Sequence, residues 1–265
     1  MLRNIVLGQY YPGESVLHRL DPRTKIVMTF VFMILLFMVN GFYGYLGFGL
    51  LTLLAVWLSR LPLRLVFQGL KSILYILFIT FLLNLFLTPG EVLFTLGPLT
   101  VTRPGLNLGV TMSVRLIILI LLSSLLTLTT SPILLTDGLE ALLKPFRRLG
   151  VPAHELAMMM TIALRFVPTL LEETEKIIKA QMARGADLES GNIFQRARAL
   201  VPILVPLFVS AFRRADELAT AMEARCYRGG EHRTRMRELK YRTADYLAFS
   251  VTGVVAAAVM ALRWI

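Results

Sequence analysis

Four long stretches of this chain contain no aspartate or glutamate: about Ile26–Leu58, Leu70–Leu87, Leu106–Thr130 and Tyr246–Leu262. In a bilayer every backbone N–H and C=O has to be satisfied within the protein, so lipid-exposed spans are helices or strands of a closed barrel. Barrel strands alternate with period two, and Ile117-Ile118-Leu119-Ile120-Leu121-Leu122 shows no alternation. The stretches therefore read as helices. At 1.5 Å per residue a crossing takes roughly 20 residues. The first stretch is interrupted at Asn40-Gly41 and crowded by Gly44, Gly47 and Gly49, and it reads as two helices, Ile26–Val39 and Phe42–Leu58. The expectation is an all-α integral membrane protein with five spans, at about 26-39, 42-58, 70-87, 106-130 and 246-262. Residues 1-130 would form the membrane bundle, 131-243 a cytoplasmic domain, and 244-265 the last transmembrane helix.

Composition supports this. Of 265 residues 56% are hydrophobic and only 17% charged, against roughly 25% charged in a soluble domain. The net charge of +11 would ordinarily raise nucleic acid as a partner. Here the cations sit at the ends of apolar spans, which reads as topology in a lipid bilayer and no nucleic acid. Arg3, Arg19, Arg23 and Lys25 precede the first span, and Arg60, Arg64 and Lys71 lie between the second and third. Most of the rest, including Lys144, Arg147, Arg148, Arg213 and Arg214, lie in Ser131–Thr243. The positive-inside rule then puts the N-terminus and the long segment in the cytoplasm and the C-terminus outside, in the inner or plasma membrane of a prokaryote. Residues 1–25 lack the apolar core of a signal peptide. The single cysteine, Cys226, excludes an internal disulfide. The outer loop, Val92–Leu96, Gly97-Pro98 and Leu99–Thr102, has the pattern of a small β-hairpin.

The long segment carries two amphipathic patterns at helical spacing. Leu156, Met160, Ala163, Val167, Leu170, Thr174, Ile177 and Gln181 form one stripe; Phe194, Ala197, Val201, Leu204, Phe208, Ala211, Ala215, Leu218 and Met222 form the other. Pro168, Pro202 and Pro206 are expected to kink or divide these helices. A shorter helix, Ile133–Arg148, is interrupted by Pro145. Both long helices finish alike, as Ala183-Arg184-Gly185 and Ala224-Arg225-Cys226, with each arginine three residues beyond the last stripe position. An arginine at a helix C-terminus is favoured by the dipole, and its guanidinium can grip a partner's carboxylate with two bonds. The same residues also suit plain helix caps, with Gly185 and Gly229 as stops.

On these residues the chain resembles the transmembrane (T) component of energy-coupling factor transporters, ABC-type importers of vitamins and transition-metal ions. The resemblance covers nearly the whole chain, through Leu20-Asp21-Pro22-Arg23-Thr24-Lys25, Thr129-Thr130-Ser131-Pro132, Gly150-Val151-Pro152, Ala163–Pro168 and the two Ala-Arg-small motifs. It implies that the two long helices are crossed coupling helices. Ala183, Arg184 and Gly185 would dock in one of two ATP-binding cassette ATPase subunits, and Ala224, Arg225 and Cys226 in the other. Cys226 departs from the family's usual glycine or serine. It further implies a membrane-embedded substrate-binding (S) component resting on the apolar faces. Met158, Met159 and Met160 are candidates for that contact, because methionine adapts to differing partners, and ordinary core packing explains them equally well.

Other residues point elsewhere or nowhere. Asp21-Pro22 has the form of an N-cap and first-turn proline. Arg115 lies inside a span, where charge is costly and often functional, and its role stays open. His18, His154 and His232 have no metal-ligand spacing, so no metal or cofactor is expected. The alternative function, an ion-coupled secondary transporter, would usually need buried carboxylates or broken helices at the midplane, and the spans have no Asp or Glu. No Walker motif is present, so ATP hydrolysis would fall to other chains, and the protein would be no enzyme.

Overall fold

The computed structural model describes residues 10–39, 41–71, 73–96, 99–186, 192–229 and 239–264. Arg3, Asn40, the Gly97-Pro98 turn and His232 lie outside them. The described residues fall into two compact units, one drawn from Gly8–Leu139 and Glu238–Ile265, the other from Glu140–Arg237.

The first unit is an apolar helical bundle. Its helices are α1 (Val16–Arg19), α2 (Pro22–Met38), α3 (Phe42–Ser59), α4 (Leu63–Lys71), α5 (Leu74–Leu87), α6 (Arg103–Thr129), most of α7 (Pro132–Leu143), and α10 (Thr243–Trp264). Between α5 and α6, β1 (Val92–Leu96) and β2 (Leu99–Thr102) pair antiparallel with Leu96 opposite Leu99, the hairpin its turn residues suggested. Helix α6 is central and packs on α2, α3, α4 and α5. Phe32, Leu36, Phe48, Ile118, Leu122 and Val259 form the main core across α2, α3, α6 and α10. The rings of Phe32 and Phe48 meet edge to face, 6.3 Å apart, the arrangement their quadrupoles favour. On the outside Trp57, Phe78 and Leu87 are exposed, and α5 buries no residue. Such a surface is stable only against hydrocarbon or another apolar surface.

Two of the expected spans are redrawn. The apolar run 70-87 is a helix only from Leu74, and Leu63–Lys71 is a separate helix bent 53° from it. The cause is amphipathicity: Arg64, Gln68 and Lys71 make α4 half polar, so it does not continue the uniformly apolar α5. Helix α2 starts at Pro22, capped by Asp21, whose carboxylate accepts the Arg23 N–H at 2.9 Å. It has 17 residues, about 26 Å of rise. By length and composition α3, α6, α8 (Ala153–Ala183) and α10 through Ala261 could each cross a membrane, with the bent α4–α5 pair as a fifth. Helix α8 joins that set because Arg165 is the single charge between Leu156 and Leu171.

The bundle is closed by a polar knot built from the Leu20–Lys25 segment. Asp245, fully buried, accepts the N–H of Asp21 at 2.8 Å and of Arg242 at 2.7 Å. Lys25, also buried, spends its three protons on the carbonyls of His18 and Thr129 and the hydroxyl of Thr130, at 3.3, 3.0 and 3.2 Å. The Thr129 carbonyl ends α6, so the ammonium meets the negative end of that helix. Arg23 donates to the Leu239 carbonyl at 3.4 Å and lies over the Tyr241 ring. Nearby, His18 is held by Ser15 and the Tyr11 carbonyl, and burial pushes its imidazole below the ordinary range against the pull of that carbonyl. Deeper in the bundle, Arg115 donates to the Tyr45 hydroxyl and lies over the rings of Phe37 and Tyr45. It ties α2, α3 and α6 together and meets its charge with aromatic faces.

Asp245→Ala is expected to lower the unfolding free energy of the detergent-solubilised protein by about 3 kcal/mol, since two N–H groups lose their acceptor and the buried Lys25 ammonium loses a nearby opposite charge. Asp216→Ala on exposed α9 should change it by less than about 0.5 kcal/mol. Equal thermal shifts for the two would remove the knot from its role.

Candidate coupling site

The second unit contains the last turns of α7, a 3-10 turn at Lys144–Leu149, α8 (Ala153–Ala183) and α9 (Ile193–Ala224). Pro145 converts the expected helix Ile133–Arg148 into α7 plus that turn. Pro168, Pro202 and Pro206 divide neither long helix; α8 and α9 run through them unbroken. A proline lacks the N–H that its i−4 carbonyl would accept. For Pro206 the orphan is the Pro202 carbonyl, and the Gln181 side chain donates to it at 3.3 Å.

That contact is one of several that fix the alignment of the pair. Glu173 accepts from Ser210 and, at 2.6 Å, from Arg214. Met158 and Ile162 share a cleft of about 420 Å³ with Leu218, Met222 and Arg225–Gly229. As α8 advances from 158 to 181 its partners on α9 recede from 222 to 202, so the helices are antiparallel. The two arginine motifs consequently lie at opposite ends, roughly 35 Å apart at 1.5 Å per residue.

Each end is built the same way. In α8 the Gly185 N–H bonds to the Met182 carbonyl and the Ala186 N–H to that of Gln181, both at 3.0 Å. In α9 the Cys226 N–H bonds to the Glu223 carbonyl at 2.8 Å and the Tyr227 N–H to that of Met222 at 3.0 Å. These are Schellman caps, in which a left-handed residue lets the chain turn back on the last carbonyls. Gly185 has φ +86° and Cys226 φ +55°. The second helix is thus stopped by Cys226, not by Gly229 as the sequence suggested, because the thiol-bearing residue itself takes the left-handed position. Ala183, Arg184, Gly185, Ala224, Arg225 and Cys226 are all exposed. Asp187, which follows the first motif, lies outside the described residues.

The three methionines separate. Met158 is half-buried in the cleft beside the second tip, while Met159 and Met160 are exposed. A larger apolar surface lies on α9, where Val201, Leu204, Val205, Phe208, Val209 and Phe212 are all exposed and, among the described residues, only Ile203 is buried. Its signal in the sequence is that Leu200–Phe212 carries no charge on any side. A helix apolar all round needs more cover than one neighbour supplies.

A bundle of lipid-compatible helices, joined to a helix pair whose ends and apolar face are exposed, is the make-up of an integral membrane protein with helical surface left uncovered. Comparison with known proteins narrows the class. Residues 13–236 match the family CbiQ, "Cobalt transport protein". The chain is 60% identical over 265 residues to the energy-coupling factor transporter transmembrane protein EcfT of Thermosediminibacter oceani, covering 100% of both. It is 49% identical over 264 residues to the protein of that name from Bacillus subtilis, covering 99% of this chain and 100% of that one. The chain belongs to the family of transmembrane (T) components of energy-coupling factor transporters.

Cys226→Gly should steady the second tip by about 0.5–1 kcal/mol by relieving the left-handed strain. Cys226→Val should loosen it by a similar amount or more. Amide exchange at Cys226 and Tyr227 reads both; faster exchange in the glycine variant would contradict the cap.

Proposed function

We propose that this protein is the coupling subunit that transmits ATP-driven motion of two ATPase chains to a membrane-embedded S component, for import of a vitamin or a transition-metal ion. The observation that carries the reading is the pair of identical caps, each presenting an exposed arginine, at opposite ends of one antiparallel helix pair. Sites roughly 35 Å apart suit two separate partners better than two contacts on one. Ala183, Arg184 and Gly185 dock on one ATPase; Ala224, Arg225 and Cys226 dock on the other. Each guanidinium bonds a carboxylate in its groove, and the small neighbours let the tip enter.

The apolar face of α9 supports a location for the S component, and Met158, Met159 and Met160, near the other end of the pair, are further candidates for that contact. In this reading residues 131-243 lie in the cytoplasm as the coupling domain, the N-terminus is cytoplasmic, and the C-terminus is outside. When the ATPases close on ATP and part after hydrolysis, the tips follow them. A helix pair cross-linked by Glu173, Arg214 and Gln181 passes that displacement to whatever rests on its apolar face.

The chain is to be co-expressed with an ATPase pair and an S component as wild type, Arg184→Glu, Arg225→Glu and the double variant. Each single change should reduce ATPase co-purification tenfold or more, as expected when about 2 kcal/mol of a desolvated charge pair is lost. The double change should abolish ATP-dependent uptake with membrane insertion intact. Partners and transport retained in the double variant would reduce both motifs to helix caps.

A further inference from the structure

We infer that the membrane unit holds the acyl chain of a bilayer lipid in a slot between α2, α3, α6 and α10. The slot is a cavity of about 340 Å³. Its floor is Phe32, Leu122, Leu125 and Ala248, all buried. Leu54, Leu247 and Val251 also line it, and they are 55%, 69% and 43% exposed. The slot therefore opens on the outer faces of α3 and α10. Both helices are long and apolar enough to cross a membrane. Leu50 and Val254, a turn away from Leu54 and Val251, are exposed as well. The mouth is thus continuous with surface that meets hydrocarbon, and what reaches it from the bilayer is lipid chain.

The shape agrees. The lining runs from Lys25 to Phe32 on α2, from Leu51 to Leu58 on α3 and from Leu122 to Thr129 on α6. Each stretch is about 10 Å of helix rise, so the slot extends along the helices. An apolar cavity of about 150 Å³ stays dry and takes a benzene ring, and by that measure this one has room for on the order of a dozen carbon atoms. A partner's helix is about 10 Å across, and a piece as long as the slot would need roughly twice its volume.

The chemistry excludes polar occupants. Apart from Thr29, the polar side chains on the slot are spent. The three acceptors of Lys25 Nζ are the carbonyls of His18 and Thr129 and the Thr130 hydroxyl. The Thr129 hydroxyl donates to the Leu125 carbonyl at 2.6 Å. A buried water needs two to four polar partners, and a lipid phosphate needs free donors. The slot accordingly takes the chain of a lipid and not its headgroup.

The test uses the full chain in nanodiscs of phosphatidylcholine that carries a diazirine on one acyl chain. After irradiation the adducts are mapped by mass spectrometry. Any surrounding lipid labels the outer residues Leu50 and Leu53, both exposed. A chain in the slot also labels the buried Phe32, Leu122 and Leu125. Ala55 and Ala248 line the slot, so A55F and A248L each fill part of it. Adducts at the buried residues should fall tenfold or more in either variant, with those on Leu50 and Leu53 unchanged. Adducts confined to the outer face of the wild type overturn the proposal. So do buried adducts that persist undiminished in both filled variants. Buried adducts that vanish when the chain is co-expressed with ATPase subunits and an S component also overturn it, since the slot would then belong to a protein partner.

Discussion

Everything in the membrane unit depends on the polar knot that joins its first and last helices. Asp21 and Asp245 are separated by 224 residues, yet the N–H of one bonds to the carboxylate of the other. Lys25 completes the knot by holding the end of α6 through the Thr129 carbonyl. Three buried charges in an apolar bundle would be ruinous alone, because each loses several kcal/mol of hydration. They persist because the charges lie near one another and because each described donor on Lys25 has an acceptor. The result is directional. Apolar helices in lipid have little hydrophobic reason to choose one neighbour over another, and the knot selects which helix ends meet.

The bundle then needs close packing rather than burial of greasy surface. Gly138 lets α7 lie against α2, where a Cβ would press on Pro22 at 3.0 Å and on Ile26 at 3.1 Å. Arg115 fixes the middle of the bundle by giving the Tyr45 hydroxyl a partner and by lying over Phe37 and Tyr45. A charge inside a span is costly, and here the cost is offset within the protein by an aromatic cage from α2 and α3. With the knot at one end, Arg115 within and α6 through the centre, the helices have a single registration. The outer faces of α3 and α5 are left for lipid or another chain.

Local chemistry was legible in the sequence, and long-range pairing was not. The Asp21-Pro22 start of α2, the hairpin from Val92 to Thr102, and the two long helices followed from caps, turn residues and period. Asp245 gave no signal as the partner of the first helix, since nothing in its neighbours points across 224 residues. The break after α4 was hidden by the continuity of apolar residues from Leu70 onward, although Arg64, Gln68 and Lys71 already marked a polar face. The three prolines promised kinked or divided helices; neither helix is divided, and at Pro206 Gln181 supplies the missing donor. The stop at Cys226 was misplaced for a different reason. Glycine is the usual left-handed residue, so Gly229 attracted the assignment, while the backbone conformation was taken by a residue that fits it less well.

That misfit bears on the proposed coupling role, in which the helix pair would have to keep its two ends at a fixed separation under load. Along α8 and α9 the polar contacts come at spaced levels: Gln181 to the Pro202 carbonyl near one end, then Glu173 to Ser210 and Arg214 farther along. Apolar contact in the Met158–Met222 cleft closes the other end. Such spacing resists sliding, because a shift of one helix along the other breaks all of these contacts together. Stiffness is thus concentrated in the shaft, and the tips are the soft elements. Gly185 accepts its turn freely, whereas Cys226 holds its own at some conformational cost. The two ends share one hydrogen-bond pattern but differ in the residue that holds the left-handed turn, so a pair that looks symmetric in outline has one relaxed and one strained tip.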